Sequence, residues 1–394
     1  MRQRAHGGNL AWASALAGCP PSAIVDFSAS ISPLGPPRSV LAAIESELAN
    51  LRHYPDPDYH ELRLALCHFH QLPPEWILPG NGSAELLTLA GRELAELAAT
   101  VLITPAFGDY YRSLSAYDAK VLEFPISLER QGKVSTPIHG ENSPLFPFSP
   151  NPITEKFPTA KSVDIPQEAT NGGGSPVSGY LSKRHGLLLN NPHNPTGKLF
   201  SREAILPYLD EFGLVVVDEA FMDFLPACEE QSLIGVVQKY PNLVILRSLT
   251  KFYSLPGLRL GYAIAHPDRL QRWQSWRDPW PVNTLAQAAA IAAVSDREFQ
   301  QQTWAWLPPA RKQLFEGLAQ IPGLQPCKSA ANFLLVSSQQ SSCKLQEELL
   351  KHHQILIRDC LSFRELGDRY FRVAVRLSSE NQRLLNAIAL VNNL

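Results

Sequence analysis

From about residue 76 the chain alternates short apolar runs with amphipathic stretches, and this alternation limits its possible folds more than any other feature. The runs "TVLI" (100–103), "KVLEF" (120–124), "GLLLN" (186–190), "GLVVVD" (213–218), "LVILRS" (243–248) and "LGYAIA" (260–265) are mostly continuous rather than alternating in polarity. Strands of that kind are buried on both faces. Between several of them lie helix candidates such as "SAELLTLAGRELAELA" and "SREAILPYLDEF", each opened by a serine able to cap free N–H groups. The pattern predicts a mostly parallel α/β sheet covered by helices on both sides.

The remainder reads differently. After helical sequence over about 283–319, "NFLLVS", "ILIR" and "YFRVAVR" alternate with "KLQEELLKHH" and a last helix near 380–392, which predicts a smaller α+β domain. A chain of 394 residues is expected to form two or three domains. We place a large domain over 51–283 and a small one over 284–394. An N-terminal arm over 1–50 belongs with the small domain or lies across the cleft. Residues 131–182 break the periodicity with prolines from Pro137 to Pro176 and "NGGGSP", and are expected to form a flexible surface insertion.

A net charge of -2 gives no overall basic field for nucleic acid or an acidic membrane, so a small-molecule partner is expected. Six scattered cysteines without a C-x-x-C pair read as reduced, cytoplasmic thiols. The start "MRQRAHGGNLAWASALAGC" imitates a signal peptide, but residues 6–9 interrupt it and its short apolar core contains Trp12 and Ser14. The apolar "LAQAAAIAAV" (285–294) is too short to span a membrane.

Four stretches carry chemistry. In "RSLTKFYSLPGLRLGY" (247–262), Lys251 follows a strand with Ser248 three residues before it and Arg259 eight after. A lysine that forms a Schiff base needs that placement, with hydroxyls and an arginine close by to hold a phosphate. In "VVVDEAF", Asp218 ends a buried strand and faces the usual ligand crevice of such sheets, where a carboxylate can keep a pyridine nitrogen protonated. In "NNPHNPTGK", Asn194 is placed to donate to a ring oxygen; the final Gly-Lys is no Walker loop, because Leu199 stands where Ser or Thr is required. In "PGNGSAELL", Asn81, Gly82 and Ser83 form a turn into a helix whose N–H groups suit a phosphate, and Phe107 of "ITPAFGDYY" could stack on a ring. His68, His70, His352 and His353 have no carboxylate or cysteine partners at metal-site spacing, so no metal is expected and they read as solvated.

Together these motifs resemble the fold-type I pyridoxal-phosphate enzymes of the aspartate aminotransferase superfamily. The resemblance implies an α/β fold with a mostly parallel seven-stranded sheet in the large domain and pyridoxal 5'-phosphate as cofactor. Lys251 is implied as the Schiff-base lysine, Ser248 and Arg259 as phosphate ligands, Asp218 as the pyridine partner and Asn194 as the ring-oxygen donor. Within the superfamily the chain is similar to L-threonine-O-3-phosphate decarboxylases of cobalamin biosynthesis and to histidinol-phosphate aminotransferases. Both similarities include "RHYPDPDY", whose Tyr54 is implied to reach the cofactor phosphate of a second subunit in a homodimer. Both also include Arg358 of "ILIRDC" and Arg372 of "YFRVAVR". "HGGN" with His6, "DFSASISPLGPP", "PWPVN", "QQTWAWL" and Phe221 favour the decarboxylase. That assignment implies a small phosphorylated amino acid held by His6, Arg358 and Arg372. One departure is Ser30 and Ser32, where the family carries asparagines. The alternatives are the aminotransferase and a non-catalytic sensor; the sensor requires a helix-turn-helix, and no basic domain precedes residue 50.

Overall fold

The structure, a computed structural model, describes residues 7–126 and 182–392. His6 and residues 131–181 of the expected insertion lie outside the described residues. The strands are β1 (Val25–Asp26), β2 (Ile77–Gly80), β3 (Ala99–Thr104), β4 (Val121–Pro125), β5 (His185–Asn190), β6 (Leu214–Asp218), β7 (Leu243–Ser248) and β8 (Gly261–Ala265), followed by β9 (Leu324–Pro326), β10 (Phe333–Ser338), β11 (Ile355–Leu356), β12 (Arg358–Asp359) and β13 (Tyr370–Ala374).

Seven of them form one sheet in the order β2-β8-β7-β6-β5-β3-β4. Strand β8 runs opposite to the other six in this sheet. Continuous apolarity shows that "LGYAIA" is buried but carries no direction, so the reversal was not legible. Successive residues of the central strands feed opposite cores: Leu187, Leu189, Val215 and Val217 pack on one side, and Leu188, Leu214 and Val216 on the other. That double burial is the reason these runs lack polar alternation.

Two expectations need correction, and one strand went unread. Strand β4 is not buried: it closes one sheet edge, and Leu122 and Glu123 are exposed. Strand β2 was not anticipated, because Pro79 has no N–H to donate to a ladder; the strand is tolerated at the opposite edge, where it has a neighbour on one side only. Ser83 does not cap its helix. The helix spans Ser83–Leu94 with Gly82 as the cap residue, and the Glu85 carboxylate accepts from the Asn81 N–H at 2.6 Å. Ser201 does cap helix Arg202–Glu211, accepting from Ala204 N at 3.2 Å.

A second, antiparallel sheet has the order β12-β13-β10-β9. The N-terminal segment joins it to the rest. Helix Leu10–Ala17 packs with helix Ser342–His353, β1 pairs in parallel with β11, and helix Arg38–Glu47 lies against helix Thr284–Ser295. The loop after β1 is thereby led along the junction between the two sheets, and the Ser32 N–H donates to the Lys251 carbonyl at 3.0 Å.

Candidate active site

The parallel strands β5 and β6 end in register, and β7 runs two residues past them. Asn190 is opposite Asp218, Asp218 opposite Leu246, and Ser248 at the end of β7 faces Gly261 of β8. Carboxyl ends of parallel strands are where open α/β sheets leave a crevice. Here that crevice is a cavity of about 260 Å³, lined by Lys251, Asp218, Asn194, Ser248, Arg259 and Arg372 among others.

Lys251 enters from the short helix Leu249–Phe252, whose start is fixed by Ser248: its hydroxyl lies 2.8 Å from Thr250 Oγ1 and accepts from Thr250 N at 3.4 Å. Burial, followed by the positive charges of Arg372 and Arg259, lowers the Lys251 ammonium from its ordinary 10.5 to about 8, against the opposing pull of Asp218. A neutral, nucleophilic amine is therefore accessible near neutral pH.

Across the cavity, Asp218 accepts from the Tyr110 hydroxyl at 2.8 Å and from Ala220 N at 3.0 Å. Burial raises its pKa, while the Tyr110 bond, the Ala220 N–H and Lys251 oppose that rise. Next to Ser83 and Ala84, Gly82 has φ 76°, and a Cβ there would lie 2.7 Å from an Arg259 guanidinium nitrogen. The glycine thus lets Arg259 approach the N-terminus of a twelve-residue helix, making a cradle of backbone N–H groups, one guanidinium and the Ser248 hydroxyl.

Arg372 comes from β13 of the second sheet. It bonds the Asn194 amide oxygen, donates to the Ser28 carbonyl at 3.3 Å and lies 4.9 Å over the Phe333 ring. Because the amide oxygen accepts from an arginine, the Asn194 amide N–H₂ is turned to act as the donor. Burial and the neighbouring Arg358 lower the Arg372 pKa to about 10.

The other residues singled out from sequence are distributed less evenly. Phe107, Gly82 and Ser83 line the cavity; Asn81 does not, and Ala84 takes its place. Arg358 is buried and paired in register with Arg372, but it lines a narrow adjoining recess with Asn9, Trp12 and Gln346. Gly7 and Ser28 border both spaces. Tyr54 is outside the cavity, 80% exposed and 4.6 Å from Trp280 between ring centroids. Ser30 borders the cavity and Ser32 is buried behind it. Phe221 is also at the wall, so this position presents a ring without a hydroxyl.

Two groups were missed. Tyr110 sits one helical turn beyond Phe107, and its only signal was that i, i+3 spacing. Arg247, directly before Ser248, is buried against Glu219 at 3.1 Å and Asp223, with Glu219 accepting from Ser232 Oγ at 2.7 Å and Leu233 N at 2.9 Å. This network ties the ends of β6 and β7 together beneath Asp218 and Lys251. The reading of His70 as solvated is corrected too: its Nε2 lies 2.7 Å from the Tyr262 hydroxyl, and burial followed by the charge of Arg247 pushes its pKa well below 6.5. Among the described residues there is no group of three His, Cys, Asp or Glu side chains able to hold a metal ion, and no helix is long and apolar enough to cross a membrane.

These features fit pyridoxal phosphate: an amine for its aldehyde, a carboxylate for its ring nitrogen, an amide donor for its ring oxygen and a helix N-terminus with an arginine for its phosphate. The profile of the family "Aminotransferase class I and II" matches residues 22–136 and 161–388. A threonine-phosphate decarboxylase of Salmonella typhimurium is 34% identical over 389 residues, covering 98% of this chain and 95% of that protein. Among solved structures, histidinol-phosphate aminotransferase from Sinorhizobium meliloti in complex with pyridoxal-5'-phosphate superimposes with TM-score 0.76 at 22% identity, over 98% of this chain and 95% of that one. L-threonine-O-3-phosphate decarboxylase from Porphyromonas gingivalis does so with TM-score 0.75 at 23% identity, over 94% and 100%.

Proposed function

As the chain belongs to the aminotransferase class I and II family, we propose that it uses pyridoxal 5'-phosphate to decarboxylate L-threonine O-3-phosphate to (R)-1-aminopropan-2-ol O-2-phosphate and carbon dioxide, a step of cobalamin biosynthesis. The observation that carries this reading is the pairing of Arg358 with Arg372 at the wall formed by Gly7 and Ser28, beside the cavity that holds Lys251. Two guanidinium groups there suit a substrate with two anionic ends, a carboxylate and a phosphate. The whole-length similarity to a threonine-phosphate decarboxylase supports the same choice.

In this reading Lys251 binds the cofactor, Asp218 pairs with its ring nitrogen, Asn194 donates to its ring oxygen, and Phe107 stacks on the ring. Gly82, Ser83, Ser248 and Arg259 hold its phosphate. When bound, pyridoxal phosphate supplies an electron sink conjugated with the substrate Cα. Arg358 and Arg372, with His6, would grip the substrate's anionic ends and fix the orientation of its carboxylate, so that the Cα–carboxylate bond would be the one to break. As carbon dioxide leaves, Lys251 Nζ or a water would deliver the proton that Cα takes up.

Further features follow from the same reading. The exposed Tyr54–Trp280 pair marks the face where a second copy docks, Tyr54 reaching that copy's cofactor phosphate, so the enzyme is a homodimer. The two sheets belong to a large domain over 51–283 and a small one over 284–394, with 1–50 as a bridging arm. Six free cysteines suit the cytoplasm.

The test is to supply pyridoxal phosphate and L-threonine O-3-phosphate without any keto acid and to measure carbon dioxide. Release matched by aminopropanol phosphate is expected. Its absence, with glutamate formed from 2-oxoglutarate and histidinol phosphate made the cognate pair, would instead make the chain an aminotransferase.

A further inference from the structure

Both oxygens of Asp218 are held by the protein: Oδ2 accepts from the Tyr110 hydroxyl and Oδ1 from Ala220 N. Tyr110 is 2% exposed, lies on helix Gly108–Ser115 and meets the Phe107 ring edge-on, with 6.1 Å between centroids. The charged and titratable groups acting on Asp218 are Tyr110 and Asp109 from that helix and Lys251 from the turn after β7. Asp109 disfavours the carboxylate's charge and burial disfavours it more; Tyr110, Ala220 N and Lys251 favour it. Burial and the carboxylate beside it hold the Tyr110 phenol well above 10, so at working pH the hydroxyl keeps its proton and is a permanent donor.

Resting on the reading that pyridoxal phosphate occupies this cavity, we propose that Tyr110 is a positioning residue whose hydrogen bond to Asp218 Oδ2 keeps that carboxylate charged and aimed, so that the cofactor's ring nitrogen retains its proton. One proton is shared between the ring nitrogen and the carboxylate. A donor on the carboxylate lowers its basicity and leaves the proton on nitrogen; loss of that donor moves the proton toward oxygen. Phenylalanine at 110 keeps the ring that packs on Phe107 and removes only the hydroxyl.

The experiment is to load Tyr110→Phe and the parent enzyme with pyridoxal phosphate labelled with ¹⁵N in the ring and to compare the nitrogen resonances. The variant's resonance is expected to move toward that of unprotonated pyridine, with cofactor affinity weakened by about 3- to 30-fold. An unmoved resonance overturns the proposal. Failure of the parent to bind the cofactor would overturn the underlying reading instead, so the two failures are distinguishable. Should Tyr110→Phe not fold, 3-fluorotyrosine at position 110 keeps the hydroxyl. Its ¹⁹F resonance is expected to shift on Asp218→Asn, and an unshifted resonance overturns the proposal equally.

Discussion

The two walls of the cavity are built in opposite ways. The wall that carries Asn194, Asp218, Ser248, Lys251 and Arg259 comes from one sheet and the turns beside its strand ends, with β6 and β7 tied together by Arg247, Glu219 and Asp223. The facing wall is assembled from Gly7 and Ser28 at one end of the chain and Arg372 from near the other, with Arg358 in the recess behind. The first wall is a property of one hydrogen-bonded sheet and carries the cofactor in the proposed function. The second depends on two chain ends meeting through β1 and β11, and in the proposed function it holds the substrate.

The contrast is tested most severely at Lys251. Lys251→Ala is expected to abolish the visible absorbance of lysine-bound pyridoxal phosphate and to reduce decarboxylation on the order of 10⁴-fold or more; retained absorbance would show that the first wall has been misassigned. At Arg247, replacement by leucine leaves Glu219 and Asp223 buried without their cation, and a loss of about 3 to 5 kcal/mol in urea unfolding is expected. A loss below about 1 kcal/mol would mean that the clamp is not what holds the first wall.

The second wall predicts a different signature. Arg358→Ala should weaken substrate binding by about 2 to 5 kcal/mol while leaving cofactor absorbance intact, measured as KM against cofactor titration. An equal loss of both would erase the distinction between the walls. A pH measurement sharpens it further. The folded Lys251 has its pKa lowered to about 8 from 10.5, so the unfolded chain binds that proton more tightly. The cofactor-free protein should therefore gain stability as pH rises from about 8 to about 10.5, and Lys251→Met should lack that part of the slope. Identical slopes in the two proteins would show that the amine is not desolvated. The smallest effect is expected at Tyr54: Tyr54→Phe should change unfolding stability by less than about 0.5 kcal/mol, as for an exposed side chain. Its cofactor retention should nonetheless fall, and unchanged retention would count against a shared site.

Legibility followed the same division. Lys251, Ser248 and Arg259 lie within twelve residues of one another, and Asp218 and Asn194 each sit in a short motif at a strand end, so local pattern was enough to name them. Five strands were visible because burial on both faces leaves a continuous apolar run. The reversal of β8, the edge strand β2 with its proline and the exposed edge β4 were not, since direction and position in a sheet are settled by neighbours. Arg358 and Arg372 were named through resemblance, but their mutual register and their separation into cavity and recess were not. Tyr110 and the Arg247 clamp went unread because a tyrosine on a helix and an arginine in a strand acquire roles only from what is packed against them.

The sequence by itself therefore determined the α/β class, the candidate lysine and its nearest neighbours in the site, because hydrophobic period and short-range spacing are written along the chain. Only the tertiary structure decided which residues hold Asp218, how β6 and β7 are tied, and which arginine faces the cavity. Apart from the Ala220 N–H, those contacts join residues 24 to 344 positions apart, and their geometry is set by packing rather than by any local propensity.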